Sequence, residues 1–289
     1  MKTPALLALA LLTFLPNLAW ADDTMPGTAQ VSDAVPGHPG VTFFDLLAQM
    51  VPGLALADTG ASAPAPPEPF RHIAGPDNEG EPPDQLQVDS LEPLALEVDG
   101  KKRIAIVADF GAAQDRVADI TLLGLFDDGA MPKLLDFADV GLDRFSGFAS
   151  VPSFRIGPHD EAISLDSSHS NSSESYEQPM LIFVQNDKLT LIDSYFVFGE
   201  RECNFQQDQQ LAVKELPDSG LLHWSFQVDV TQTRSKTKGE DCPEPTPKQT
   251  VTKVYSATYV WSPKRQNFVT TSRQLDQLAK ENDALNRGE

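Results

Sequence analysis

Leu222-His223-Trp224-Ser225-Phe226-Gln227-Val228-Asp229-Val230-Thr231 is the stretch that decides the fold class. Leu222, Trp224, Phe226, Val228 and Val230 fall on one side of an extended chain, and His223, Ser225, Gln227, Asp229 and Thr231 fall on the other. That period-2 alternation is the mark of a strand buried on one face. His223 lies on the polar side and is expected to face solvent.

Working outward, the same chemistry recurs as hairpins. Leu94 to Val98 and Arg103 to Ala108 flank Asp99-Gly100-Lys101-Lys102, and Asp-Gly between apolar runs is a strong short-range hairpin signal. Ile120 to Phe126 returns through Lys133 to Asp136 across Asp127-Asp128-Gly129-Ala130-Met131-Pro132. Met180 to Val184 returns through Leu189 to Phe198 across Gln185-Asn186-Asp187-Lys188, and Val254 to Trp261 returns through Asn267 to Thr270. A regular repeat of such units would imply a propeller-like ring, but the spacing is irregular and no signature residue recurs. The expectation is a mainly β, antiparallel, hairpin-rich domain over residues 88–270, in sandwich or propeller-like form.

The flanks read differently. Residues 22–87 are rich in Pro, Gly and Ala, and Ala61 to Glu68 suggests an extended, polyproline-like linker. Within this partly ordered arm, Phe43, Leu46, Leu47, Met50 and Val51 recur at helical spacing. A short amphipathic helix near 42–51 follows, with Thr42 as N-cap and Pro52 as stop, docked on its own domain because an exposed apolar stripe is costly. Over 271–289, Thr271 and Gln274 have capping-box spacing and Leu275, Leu278 and Leu285 mark one face of a C-terminal amphipathic helix.

The first 21 residues read as a secretory signal peptide. Lys2 gives the positive n-region, Ala5 to Leu15 the apolar run, and Ala19-Trp20-Ala21 the small residues of a cleavage site after Ala21. Pro16 ends the run well short of the ~20 residues a bilayer span needs. No cysteine follows to take a lipid, and no later segment reaches spanning length. The product is expected in the periplasm or the medium, with no membrane span. There Cys203 and Cys242, the two cysteines of the chain, are expected to pair as a disulfide closing a loop of about 40 residues.

The formal charge of −20 over 289 residues repels phosphate backbones, so nucleic acid is excluded as an expected partner. Lys101-Lys102-Arg103 and Arg234, Lys236 and Lys238 form the basic clusters, both read as solvated hairpin tips.

Candidate chemistry is sparse. Asp58-Thr59-Gly60-Ala61-Ser62, preceded by Leu54-Ala55-Leu56-Ala57, resembles the Asp-Thr-Gly-Ala loop of retropepsin-type aspartic proteases, and Leu122-Leu123-Gly124 resembles their later apolar strand. In that family two such loops share a proton between paired carboxylates. The likeness spans only about ten residues, and Ala63-Pro64-Ala65-Pro66-Pro67 follows where ladder donors are needed, so no protease is assigned. His159, Asp160, Asp166 and His169 form a candidate metal set, with Asn171 and Glu174 nearby. They could meet a metal only if the loops fold back toward each other, and the hard oxygen ligands suit calcium better than zinc. No nucleophile elbow, P-loop or dinucleotide-binding fingerprint occurs. Asp109, Asp119, Asp136, Asp139 and Asp143 form an acidic series, while His38 and His72 have no evident partner. No catalytic constellation emerges, so the expectation is a non-enzymatic exported binding or interaction protein without a cofactor. Its partner would be a protein or small molecule of the cell envelope. A metal-assisted hydrolase using the 159–174 region is the alternative.

Overall fold

A computed structural model describes residues 27–57, 60–171, 174–237 and 248–287; the expected signal peptide and Cys242 lie outside these residues. Among the described residues are α1 (Phe43–Met50), β1 (Ala55–Ala57), β2 (Gly60–Pro64), β3 (Gln85–Gln87), β4 (Ser90–Val98), β5 (Lys101–Ala112), β6 (Asp119–Asp127) and β7 (Leu134–Asp139). They continue with β8 (Phe145–Gly157), β9 (Asp160–Ser170), β10 (Glu174–Gln185), β11 (Lys188–Ser194) and β12 (Val197–Arg201). The chain closes with β13 (Phe205–Leu216), β14 (Ser225–Lys236), β15 (Val251–Ser262), β16 (Asn267–Val269) and α2 (Gln274–Asn286). The protein is mainly β and antiparallel, and of the two forms expected, sheet packed on sheet is the one observed. No helix among the described residues is long and apolar enough to cross a membrane.

The central layer is the four-stranded sheet β4-β5-β6-β7. Its β4–β5 turn has Asp99 and Gly100 both at positive φ, 50° and 68°, the geometry that makes Asp-Gly a hairpin signal. Asn186 and Asp187, at 51° and 58°, repeat it between β10 and β11. Strands of this layer are buried on both faces, which is why Ile104 to Ala108 reads as a continuous apolar run.

One face, with Leu91, Ile104, Ile106, Ala108, Ile120, Leu122 and Phe126, packs on α1 and on β2 and β3. The helix forms as expected: both the backbone N–H and the hydroxyl of Thr42 donate to Asp45, 2.8 Å each, and Phe43, Leu46, Leu47 and Met50 are buried. A Cβ on Gly124 would come within 2.5 Å of Met50 Sδ, so the close seating of α1 on β6 depends on that glycine. The arm is therefore folded onto the domain. The expected linker is corrected at Gly60–Pro64, which forms a strand paired to β1 and β3. Pro64 sits at the strand end, where a missing donor is tolerated. Asp58 and Thr59, the reactive part of the protease-like motif, lie outside the described residues, and Leu122-Leu123-Gly124 is interior to β6.

The other face, with Leu94, Leu96, Val98, Ala105, Val107, Leu123 and Leu125, packs on Ile163, Leu165, Met180, Ile182, Val184 and Leu189 of a second, larger sheet. That sheet runs β16-β15-β14-β13-β12-β10-β9-β8, and β10 forks: its first half pairs with β12, its second with β11. The sheet curls so that its β8 edge approaches β13 and β14, without closing into a barrel. Phe154 of β8 lies 5.1 Å from Phe226 of β14, and Trp224 N–H donates to Ile156 O at 2.7 Å. Phe226, Val228, Ala257, Tyr259 and Phe268 pack there on Phe154, Ile156, Ala162, Leu181 and Phe183.

β14 begins at Ser225, later than its alternation suggests, because Leu222 is 78% exposed and the ladder starts only beyond it. His223 is half-buried rather than solvent-facing, its ring 4.0 Å from that of Trp261. The C-terminal helix starts with Arg273 as N-cap, not Thr271, and the expected capping box does not form. Gln274 is drawn away by the sheet edge, its Oε1 accepting from Ser256 N–H at 2.8 Å. Asn282, fully buried, locks the helix in place: its Nδ2 donates to Phe196 O and Gln209 Oε1, and its Oδ1 accepts from Gln209 Nε2. Lys101 and Lys102 are exposed, but Arg103 is buried and ion-paired with Asp187 at 2.7 Å. Arg234 lies 3.9 Å over the Phe205 ring, and Lys238 lies outside the described residues.

Candidate binding cleft

β9 carries Asp160, Asp166 and His169, with His159 just before it, and its straightness decides their fate. An extended chain rises about 3.3 Å per residue, so His159 and His169 stand roughly 30 Å apart at opposite ends. The period of two separates them further. Asp160 and Asp166 share one face, whereas His169 shares the other with Ile163 and Leu165.

Each has its own surroundings. His159 is exposed and its Nδ1 lies 3.1 Å from Glu97. Asp160 accepts from Asp99 N–H at 2.5 Å, and burial raises its carboxyl above the usual range. His169 Nδ1 lies 2.6 Å from Asp143, with its ring stacked 4.6 Å from Tyr176. The four do not meet, and among the described residues no group of three or more His, Cys, Asp or Glu side chains is gathered closely enough to hold a metal ion. Asn171 and Glu174 bond to each other across the β9–β10 turn, which explains their spacing without a cation.

Asp166 is different. It faces a cleft of about 970 Å³ on the inner side of the curled sheet. The floor comes from β9, β10 and β12 through Ser164, Asp166, Ser175, Glu177, Val197 and Gly199. Pairing of Asp166 with Pro179 and of Ser168 with Glu177 puts the two carboxylates diagonally adjacent on this floor. Burial pushes the Asp166 carboxyl up to about 6, with the nearby Glu177 charge adding to it. Among the described residues neither carboxylate has a hydrogen-bond or ion-pair partner.

One wall is β8, where the register slips between Phe148 and Ser153 and the extra residues bulge toward the cleft. Bulges of this kind re-aim a strand beside a site. Val151, at the crest, is 66% exposed.

The other wall is β13. It pairs with β14 along its whole length but with β12 only at Gln206 and Gln207, after which the two strands part. Gln209 Oε1 bridges the opening by accepting from Phe198 N–H at 3.0 Å. All of Asp208 to Val213 line the cleft. Side chains of consecutive strand residues point to opposite faces, so a site lined by six in a row meets the strand along its edge. At the far end Arg155 N–H donates to Glu215 Oε1 at 2.7 Å and draws β8 and β13 together.

The sequence singled out Asp166 for the wrong reason and missed Glu177, the β8 bulge and the β13 edge. One signal was present: Ser164, Asp166 and Ser168 alternate with Ile163 and Leu165, so one face of an interior strand is polar. Cys203 stands in the turn joining β12 to β13, at the hinge of the same cleft. Compared with known protein families, curated proteins and solved structures, the chain matches none.

Proposed function

We propose that the chain is an exported, non-enzymatic binding protein that holds a cation-bearing ligand in the cleft between β8 and β13. The observation that carries this reading is the pair Asp166 and Glu177, two carboxylates without partners among the described residues, on the floor of a concave site of ligand size. Half-buried Asp166 is penalised by burial and by the charge of exposed Glu177 beside it, and a bound ammonium or guanidinium group would offset both. The overall charge of −20 draws the same class of ligand from a distance. The test is titration with lysine- and arginine-bearing ligands followed by NMR at the cleft residues. Saturable shifts at Asp166 and Glu177, lost in the Asp166→Asn/Glu177→Gln protein, are expected. Shifts that survive the double substitution would refute it.

Export rests on the leader-like first 21 residues and on the cysteine pair. The native product is expected to begin at Asp22, with Cys203 and Cys242 joined, and to lie in the periplasm or medium. Intact-mass spectrometry with and without reduction checks both statements at once. A product that keeps Met1 and takes up two equivalents of alkylating reagent without reduction would overturn them.

A further inference from the structure

The cleft offers more than charge. From Asp208 onward β13 has β14 on one side and, among the described residues, no strand on the other. Among the described residues no backbone group of Asp208 to Val213 takes part in a bond outside the β13–β14 ladder, and the edge is turned into the cleft rather than out to bulk solvent. In an antiparallel pair alternate residues direct N–H and C=O away from the partner strand, so this stretch presents a half-made ladder. Free edges of this length invite another strand and are usually shielded by proline, by charge or by a covering element. Here the bulged residues Ala149, Ser150 and Val151 of β8 line the opposite side of the cleft without pairing to this edge.

We propose that an extended peptide segment of a partner protein binds here as an added strand along Asp208–Val213, with a lysine or arginine side chain reaching down to Asp166 and Glu177. This rests on the cleft being the binding site and adds the form of the ligand. Ladder hydrogen bonds fix the peptide's direction and register, and alternate side chains point to the acidic floor and to Val151 at the rim. The occupant is a peptide rather than a small amine because the cation site lies beside a strand-length run of unused backbone groups. It is a basic peptide because the floor is acidic and unpaired.

The probe is an acetylated, amidated hexapeptide of alternating valine and threonine with one central lysine. It is set against the same peptide N-methylated on alternate amides, the same peptide with norleucine for lysine, and n-butylamine. Affinity is read by calorimetry and the edge by amide hydrogen exchange at residues 208–213. The parent peptide is expected to protect those amides, and N-methylation to weaken binding by about tenfold or more. The Asp166→Asn/Glu177→Gln protein should lose about tenfold toward the parent peptide and bind the norleucine peptide as the unaltered protein does. Comparators of this kind leave the protein's fold untouched. If the methylated peptide and butylamine shift the cleft as strongly as the parent, strand addition is overturned while a cation-binding cleft stands. If no probe shifts Asp166, Glu177 or the 208–213 amides, both readings fall. Protection of 208–213 that appears without peptide and grows with protein concentration would assign the edge to a second copy of the chain and also overturn the proposal.

Discussion

Asp139 and Asp166 are two interior carboxylates of one protein, and burial pushes both up to about 6. Their surroundings differ in one respect. Asp139 is fully buried and fully partnered: Arg116 donates to Oδ2 at 2.6 Å, and Oδ1 accepts from the N–H groups of Gly141 at 2.9 Å and Thr121 at 3.2 Å. Around it the N-terminal arm is sewn to β7, since Ile73 N–H donates to Asp139 O and Asp139 N–H donates to Arg71 O. Beside it buried His72 accepts from Ala74 N–H at Nδ1, which places its proton on Nε2, where it donates to Gly141 O. Burial lowers that imidazole to about 4, so it is neutral in the fold. Asp166 has a similar perturbation and, among the described residues, no partner. A raised carboxyl therefore marks neither structure nor function by itself; the count of hydrogen bonds around it separates a joint from a candidate site.

The comparison is broken most forcefully at the joint. Asp139→Ala strands the Arg116 guanidinium, four-fifths buried, without its carboxylate, and loss of a buried ion-pair partner costs about 3–5 kcal/mol. Chemical denaturation should show a drop of that size together with release of the arm, seen as faster amide exchange at residues 71–75. A change below about 1 kcal/mol would mean that the arm is held by its apolar contacts alone.

A smaller effect tests His72 through pH. Its folded value lies below the unfolded one, so native and unfolded states bind protons equally above about 6.5, and the unfolded state binds more between about 6.5 and 4. The stability it contributes is present above that window and lost as pH falls through it, on the order of 3 kcal/mol. The raised carboxyls of Asp109, Asp139 and Asp166 act with the opposite sign over roughly the same window. In His72→Gln, whose amide can replace the Nε2–H donor, only the carboxyl contribution remains. Melting temperature should then rise from pH 6.5 toward pH 4 relative to the unaltered protein, and parallel curves would refute the assignment.

Local patterns explain why the joint and the cleft were unequally legible. The Asp99-Gly100 turn, the alternation of Phe226 to Val230 and the helical spacing of Phe43 to Met50 are each decided within a few residues, and each appears where the sequence places it. The arm beyond α1 differs from the expected linker because its strands are short and proline-bearing, so that Gly60–Pro64 becomes a strand only through partners distant in sequence. Asp139 looked like one of a series of turn aspartates, since nothing local announces Arg116 or His72. His159, Asp160, Asp166 and His169 are close in sequence but not in space, because an extended strand disperses them. The cleft depends on where β12 and β13 part and where β8 bulges, which are failures of pairing, and no residue pattern encodes a missing partner.

The gentlest substitution sharpens the comparison most. Asp166→Asn preserves shape and removes the charge. Because the folded carboxyl titrates above its unfolded value, the ionised form is penalised in the native state, and that penalty is present above about pH 6 and gone below about pH 4. The variant should therefore be more stable than the unaltered protein at pH 8, by roughly 1 kcal/mol once the water reaching the cleft is allowed for, and equal to it at pH 4. Asp139→Asn carries the same pH slope but leaves the buried Arg116 guanidinium unanswered, so it should be less stable than the unaltered protein at both pH values. Should Asp166→Asn prove as destabilising as Asp139→Asn, the cleft carboxylate would be another structural joint. A gain in stability coupled to a loss of ligand binding is instead what a site kept strained for its ligand requires, since selection keeps such a residue only for what it binds.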